Sequence, residues 1–327
     1  MSATLERAHG ALYGLAIGDA LGMPTQLLPR ELVHRRFPYL DGFLPGPPEN
    51  ATSHDHPAAR VTDDTEQMVI VAELLLAGDG HLDVRRFVER LLDWARATEA
   101  NGGEQLGRSS RRALAAIQRG EALEEAGRRG DTNGGAMRNT PVGIITPPEP
   151  LAALIDRVEK VCRPTHFTAM AIAIAIAIAG AAAVGAGIEG ASFAEGLSLA
   201  RAAANIGQQR GACAPGSRRA ERIVWAVDVV GGLDETTACD AVADLVGMCV
   251  VTQESVPAAF AIASRWARDP WQACLVAARL GGDNDTGGPS RARCWVHLWV
   301  SRHFQRRRLP RSSTLTGSTW HIWPGGT

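Results

Sequence analysis

The run "AMAIAIAIAIAGAAAVGAGI", Ala169–Ile188, decides how the whole chain is read. Its strict Ala/Ile alternation has the two-residue period of a strand. Strands are seldom so long, however, and alanine is the strongest helix former. The run is also uncharged and about as long as the roughly 20 residues that a bilayer span needs. Its composition argues against a span: alanine and glycine gain little from lipid, and neither flank carries aromatic anchors or a clear basic side. The expectation is a helix buried on every side by other helices.

Those other helices can be found outward from it. Leu5–Gly22 places Gly10, Gly14, Gly18 and Gly22 at every fourth position, a bare stripe on one helix face where a second backbone can come close. Val61–Ala77 opens on "TDDTE", where Thr62 or Asp63 can cap and Glu66 can complete a capping box. Helical runs also fit Val84–Ala97, Arg111–Ile117, Leu151–Val161, Phe193–Ala204, Arg218–Val229, Val256–Trp266 and Trp271–Leu280. No βαβ alternation or series of short strands interrupts them. The two Pro- and Gly-rich loops, Leu44–Arg60 and Gln208–Arg219, are too short and too apolar to require a domain boundary. A single compact all-α domain follows.

Charge excludes some partners. The 34 basic and 35 acidic residues nearly cancel, so the whole chain offers no field for nucleic acid or a membrane surface. The six cysteines are scattered with no metal-ligand spacing and read as reduced packing residues. The first residues, MSATLERAHGALYG, lack the pattern of an export signal. A cytoplasmic protein is expected.

Two acidic clusters carry the chemistry: "VTDDTEQ" with Thr62, Asp63 and Asp64, and "GGDNDTGG" with Asp283, Asp285 and Thr286. Each offers two carboxylates and a hydroxyl at or beside a helix start. Either cluster alone reads as a cap that complements the helix dipole. A cap needs one acid, though, and each cluster has two. Hard oxygen donors of this kind suit Mg²⁺, and two such sets could hold two ions that orient substrate oxygens and activate a water.

Six segments then resemble, in order, the successive motifs of the ADP-ribosylglycohydrolase family: "GALYGLAIGDALGMPTQ" (Gly10–Gln26), "TDDT" (Thr62–Thr65), "NGGAMRNTPVG" (Asn133–Gly143), "THFTAMA" (Thr165–Ala171), "ESVPAAFAIA" (Glu254–Ala263) and "GGDNDT" (Gly281–Thr286). The resemblance implies an all-α fold with a dinuclear Mg²⁺ cleft, and cleavage of the bond between the anomeric ribose carbon and a protein side chain or small acceptor. It implies Thr62, Asp63, Asp64, Asp283, Asp285 and Thr286 as ligands of two Mg²⁺ ions, with Asp63 or Asp64 polarising the attacking water. It also implies that Asn133, Gly134, Gly135, Met137 and Arg138 line an ADP-ribose site and that His166 contacts the diphosphate or ribose. Taken singly, His166 reads as a capped core histidine, Met137 as packing and Arg138 equally as a surface cation. The substrate expected is an ADP-ribosylated protein or a small ADP-ribosyl or ribosyl conjugate. A non-catalytic ADP-ribose-binding protein and a two-metal phosphohydrolase stand as alternatives.

The chain departs from the family twice. Many members carry glutamate where Gln26 stands, and an amide accepts no proton at neutral pH. After GGDNDT the family continues into a helix of small residues, whereas from Gly287 onward this chain has no Asp or Glu and holds four of its eight tryptophans. Gly288–Val300 can be written in codons that, read from the third base, give Ala-Ile-Ala-Gly-Ala-Met-Leu-Gly-Ala-Ser-Val, the missing helix. Residues 1–288 are therefore taken as the domain, and 289–327 as an Arg/Trp-rich tail out of frame. The other readings of the tail are a solvated basic segment or a nucleic-acid arm built on Arg306, Arg307, Arg308 and Arg311.

Overall fold

The computed structural model describes residues 3–100, 106–216 and 218–282. In chain order the α-helices are α1 (Ala3–Gly22), α2 (Arg30–Arg36), α3 (Asp63–Ala77), α4 (Val84–Ala100), α5 (Arg108–Gln118), α6 (Leu123–Ala126), α7 (Gly134–Met137) and α8 (Thr140–Ile145). They continue as α9 (Leu151–Cys162), α10 (Ala169–Gly187), α11 (Phe193–Gly207), α12 (Arg219–Val230), α13 (Glu235–Ala241), α14 (Thr252–Trp266) and α15 (Pro270–Leu280). Among the described residues the only extended pairings are two isolated bridges, Thr132 with Val251 and Thr168 with Ala212. The all-α expectation holds.

The alternating segment is α10, and its period explains its place. Residues two apart lie about 200° apart around a helix, so Ile172, Ile174, Ile176 and Ile178 point to opposite sides in turn. All four are buried, as are the alanines between them. A helix that is apolar all round needs neighbours all round. Here α1, α7, α8, α9, α11, α12 and α14 supply them. Each buried isoleucine contributes about 1.5–3 kcal/mol. The alanines let the neighbours approach: a Cβ on Gly143 of α8 would stand 2.3 Å from the Ala179 carbonyl oxygen. The helix starts at Thr168, whose hydroxyl accepts from the Ala171 N–H at 3.1 Å and donates to the Gly130 carbonyl at 2.7 Å.

Two smaller apolar clusters flank this core. One joins α12, α13, α14 and α15 through Ala226, Val230, Ala238, Ile262, Trp266 and Val276. The other packs Ile17 and Leu21 of α1 against Cys274, Leu275 and Ala278 of α15. In α14 the helix begins at Thr252, a turn before the expected Val256, which moves Pro257 from the first turn to the helix interior. Proline has no N–H to give the carbonyl four residues back. That carbonyl, on Gln253, instead accepts from Arg222 Nε at 2.5 Å, which lets the helix run through the proline. Helices α2, α6, α7, α8 and α13 were not expected; each has seven residues or fewer, too few to display a helical period.

Candidate active site

The start of α3 is organised by a residue that the sequence reading passed over. Asp19, on the last turns of α1, is 3% exposed. Its Oδ1 accepts from Thr62 Oγ1 at 2.7 Å, and its Oδ2 accepts from Thr62 N at 2.8 Å, Thr65 N at 3.2 Å and Thr65 Oγ1 at 2.5 Å. Burial pushes the Asp19 pKa up, and the hydrogen bonds from Thr65 and Thr62 pull it back. Four donors on one carboxyl fit the ionised, acceptor-only form. The signal for Asp19 was present: it is the only charged residue between His9 and Arg30, on an otherwise apolar helix.

This clamp replaces the expected capping box. Thr62 is the N-cap residue of α3, but its side chain makes no cap bond, because the Thr65 N–H that it would accept from donates to Asp19 instead. Glu66 does not reach back either. It accepts from Arg60 Nη2 at 3.0 Å and Trp94 Nε1 at 2.8 Å. Asp63 and Asp64 follow at the helix N-terminus, 0% and 3% exposed. Since the Thr62 hydroxyl hydrogen is spent on Asp19, its lone pairs remain as donors beside two carboxylates.

A second group forms around α7. Backbone bonds from Asn133 N to Val250 O and from Thr252 N to Asp131 O lay this loop against the start of α14. Ser255 Oγ donates to Val251 O at 3.2 Å, so it accepts from Asn133 Nδ2 at 3.1 Å, which sets the orientation of the Asn133 amide. The His166 ring lies between two hydroxyls, with Nε2 3.0 Å from Thr132 Oγ1 and Nδ1 2.8 Å from Thr165 Oγ1. Asn133, Gly134, Gly135, Met137, Arg138 and His166 are all buried and belong to one neighbourhood. Met137 lies within the main apolar core, as its packing reading anticipated.

Arg138 corrects one reading: it is fully buried, not a surface cation. Its guanidinium donates to Gln67 Oε1 at 3.2 Å, Val161 O at 2.9 Å and Thr165 Oγ1 at 2.5 Å, and lies 5.0 Å from the centre of the Phe87 ring. Gln67 stands one turn beyond Asp63 on α3. One side chain therefore joins the acidic helix start to the neighbourhood of His166.

The end of α15 lies beside the turn that follows α1. Thr25 Oγ1 donates to Ala278 O at 2.8 Å, and Gly282 N donates to Leu28 O at 3.0 Å. Gly281 sits at φ 67°, and a Cβ there would stand 2.7 Å from Leu28 O. Only glycine fits so close a crossing at that φ. The last described residues are thus fastened next to buried Gln26, whose carbonyl accepts from Asn50 Nδ2 at 2.6 Å. Asp283, Asp285 and Thr286 themselves, and the tail 289–327, lie outside the described residues. Among the described residues no group of three or more His, Cys, Asp or Glu is disposed to hold an ion.

Together these features define an all-helical domain in which an acidic, hydroxyl-bearing helix start is locked to a buried Asn-Gly-Gly loop. A sequence model of the ADP-ribosylglycohydrolase family matches residues 1–289. The chain is 37% identical over 284 residues to the uncharacterized protein YegU of Escherichia coli (strain K12), covering 86% of this chain and 84% of YegU. It is 34% identical over 116 residues to the ADP-ribosylarginine hydrolase Tri1 of Serratia proteamaculans (strain 568), covering 35% of this chain and 29% of Tri1. Among solved structures, the fold matches an ADP-ribosylglycohydrolase-related protein complex with a TM-score of 0.65 at 24% identity, over 94% of this chain and 90% of that one. The chain belongs to the ADP-ribosylglycohydrolase family. It is accordingly a hydrolase of glycosyl bonds, of the group that acts on ADP-ribose conjugates.

Proposed function

We propose that this protein is a Mg²⁺-dependent hydrolase that cleaves the anomeric ribose bond of ADP-ribosylated proteins or of related small ADP-ribosyl or ribosyl conjugates. The observation that carries the reading is the Asp19 clamp, which turns the Thr62 hydroxyl into an oxygen donor next to buried Asp63 and Asp64. That set is all hard oxygen and suits Mg²⁺. Thr62, Asp63 and Asp64 would hold two ions together with Asp283, Asp285 and Thr286. When bound, the ions supply charge stabilisation to vicinal ribose hydroxyls and lower the pKa of water.

The chain's own residues supply the rest. Cleavage at the anomeric carbon passes through an oxocarbenium-like state, to which water adds on one face. A carboxylate oxygen of Asp63 or Asp64 takes the proton of that water. Gln26 cannot do so, which leaves the base among the acids of α3. The loop Asn133–Arg138 presents backbone at Gly134 and Gly135 to the diphosphate, and His166 lies beside it. The same reading holds the partner to be an ADP-ribosyl or ribosyl conjugate, with no role for nucleic acid or a membrane, in the cytoplasm. The near-cancelling charge and the burial of α10 inside the protein agree with it.

Incubating purified protein with an ADP-ribosylated arginine peptide and Mg²⁺, and resolving the products, tests the proposal. Free ADP-ribose that disappears on chelation supports it. Release of AMP indicates a phosphohydrolase instead, and binding without turnover indicates a binding protein.

The reading also takes residues from about Pro289 as translated out of frame. The end of the family match at residue 289 agrees with that boundary. Sequencing the coding DNA across codon 288 decides it: an uninterrupted frame in independent reads removes the idea, and a missing or extra base supplies the helix written above. The restored chain then belongs in the same hydrolysis assay.

A further inference from the structure

We infer that the arginines at the start of α5 and in the turn before the Asn-Gly-Gly loop form a docking ridge for an acidic protein segment, the flank of the side chain that carries the ADP-ribosyl group. Arg108, Arg111 and Arg112 fall in the first five residues of α5, and Arg128 and Arg129 in the 3₁₀ turn Gly127–Arg129; all five are exposed. Two contacts bring these groups together. The Arg112 guanidinium donates to the Arg129 carbonyl, and Arg108 Nη2 lies 3.3 Å from Asp131 Oδ2. Arg108 and Arg112 stand one turn apart on a single helix face. The ridge therefore runs beside residues 129–131 and ends at Thr132 and Asn133. Ser109 Oγ fastens that end, accepting from Asp131 N at 3.3 Å and Thr132 N at 3.4 Å.

The ridge holds more positive charge than its own acids offset. Asp131 pairs with Arg108 and Glu125 with Arg128, while the nearby Glu124 pairs with none of the five. Arg111 and Arg112 donate to the neutral carbonyls of Leu106 and Arg129, and among the described residues Arg129 has no carboxylate partner. Glu121 lies past the far end of α5, about 16 Å along the helix and beyond a Debye length of about 8 Å at physiological salt. A helix start favours acids, and the first turn of α5 has none, so the local field adds to the surplus. The surplus calls for a negative partner beside the loop. A nucleic-acid surface spreads many cations over a basic domain, whereas this chain balances 34 basic residues against 35 acidic ones. A short run of carboxylates matches so small a surplus. That the run flanks the substrate side chain rests on the reading given above; the affinity of the ridge for acidic peptide does not.

Fluorescein-labelled decaglutamate, titrated into the full-length protein at low salt and followed by polarisation, tests the ridge without any turnover. Binding is expected, and the double variant Arg112→Glu/Arg129→Glu should weaken it about tenfold. The Arg129 side chain makes no hydrogen bond or ion pair among the described residues, so Arg129→Glu alone keeps the test open if the double variant fails to fold; it should weaken binding about threefold. Arg119→Glu at the far end of α5 has the same net charge as Arg129→Glu and should leave binding unchanged. In the hydrolysis assay, an ADP-ribosylated arginine peptide flanked by glutamates should exceed one flanked by lysines about tenfold in kcat/KM, and the double variant should erase the preference. No binding of decaglutamate, or equal losses in Arg119→Glu and Arg129→Glu, overturns the inference. So does hydrolysis of both peptides at one rate. An oligothymidylate of matched charge that binds more tightly, and weakens in the same variants, would make the ridge a nucleic-acid surface and overturn it as well. Ridge-dependent binding of decaglutamate without hydrolysis of either peptide leaves the ridge standing and refutes the functional reading.

Discussion

Asp19→Ala is expected to cost about 3–6 kcal/mol of stability, out of proportion to the removal of one carboxyl group. The carboxylate takes two backbone N–H groups and two hydroxyls at the start of α3, all in a buried place. Each buried donor left without an acceptor costs about 1–3 kcal/mol, and the four are not independent. Asp19→Asn keeps one carbonyl oxygen and should recover part of the loss. Urea unfolding followed by circular dichroism measures both variants. A change below about 1 kcal/mol in Asp19→Ala would show that the clamp is not what holds the helix start.

Asp63→Ala and Asp64→Ala should behave in the opposite sense. Thr62, not either of these residues, is the N-cap of α3, and both side chains are buried. Removing a buried carboxylate relieves its desolvation, so stability without metal should change far less than in Asp19→Ala. Turnover of the ADP-ribosyl substrate, by contrast, should fall by about 10³-fold or more, since the change removes an oxygen donor and a candidate base at once. Saturating Mg²⁺ is expected to stabilise the wild type in thermal unfolding, and to leave both variants unchanged. Activity within tenfold of wild type in both variants would refute the role given to this helix start. The contrast with Asp19 separates a residue that builds the site from residues that work in it.

Most of the scaffold was legible in the sequence because its helices are long and periodic, and because an alternating apolar run can be tolerated only where a helix is covered on all sides. What escaped were contacts made across the fold. The "TDDTE" signature predicts a local capping box, but a carboxylate from α1 outcompetes the local partner, and Glu66 turns instead to Arg60 and Trp94. Arg138 could not be placed because a lone arginine after a glycine loop has no local signal of burial. Its partners lie on Gln67, Val161 and Thr165. Asn133, Gly134, Gly135 and His166 lie together in the fold, with a Cβ on Gly135 placed 3.0 Å from His166 Cβ. The short helices α2, α6, α7, α8 and α13 fall below the length at which periodicity speaks.

The stitches between Thr25 and Ala278 and between Leu28 and Gly282 span some 250 residues of chain. During synthesis the N-terminal helices leave the ribosome long before α15 exists, and closing so large a loop is slow. The face of α1 that holds Ile17 and Leu21 must therefore wait for α15 to cover it. A nascent chain arrested before residue 270 should expose the α1 face that α15 later covers, which makes this seam the natural place for a chaperone to hold the unfinished protein.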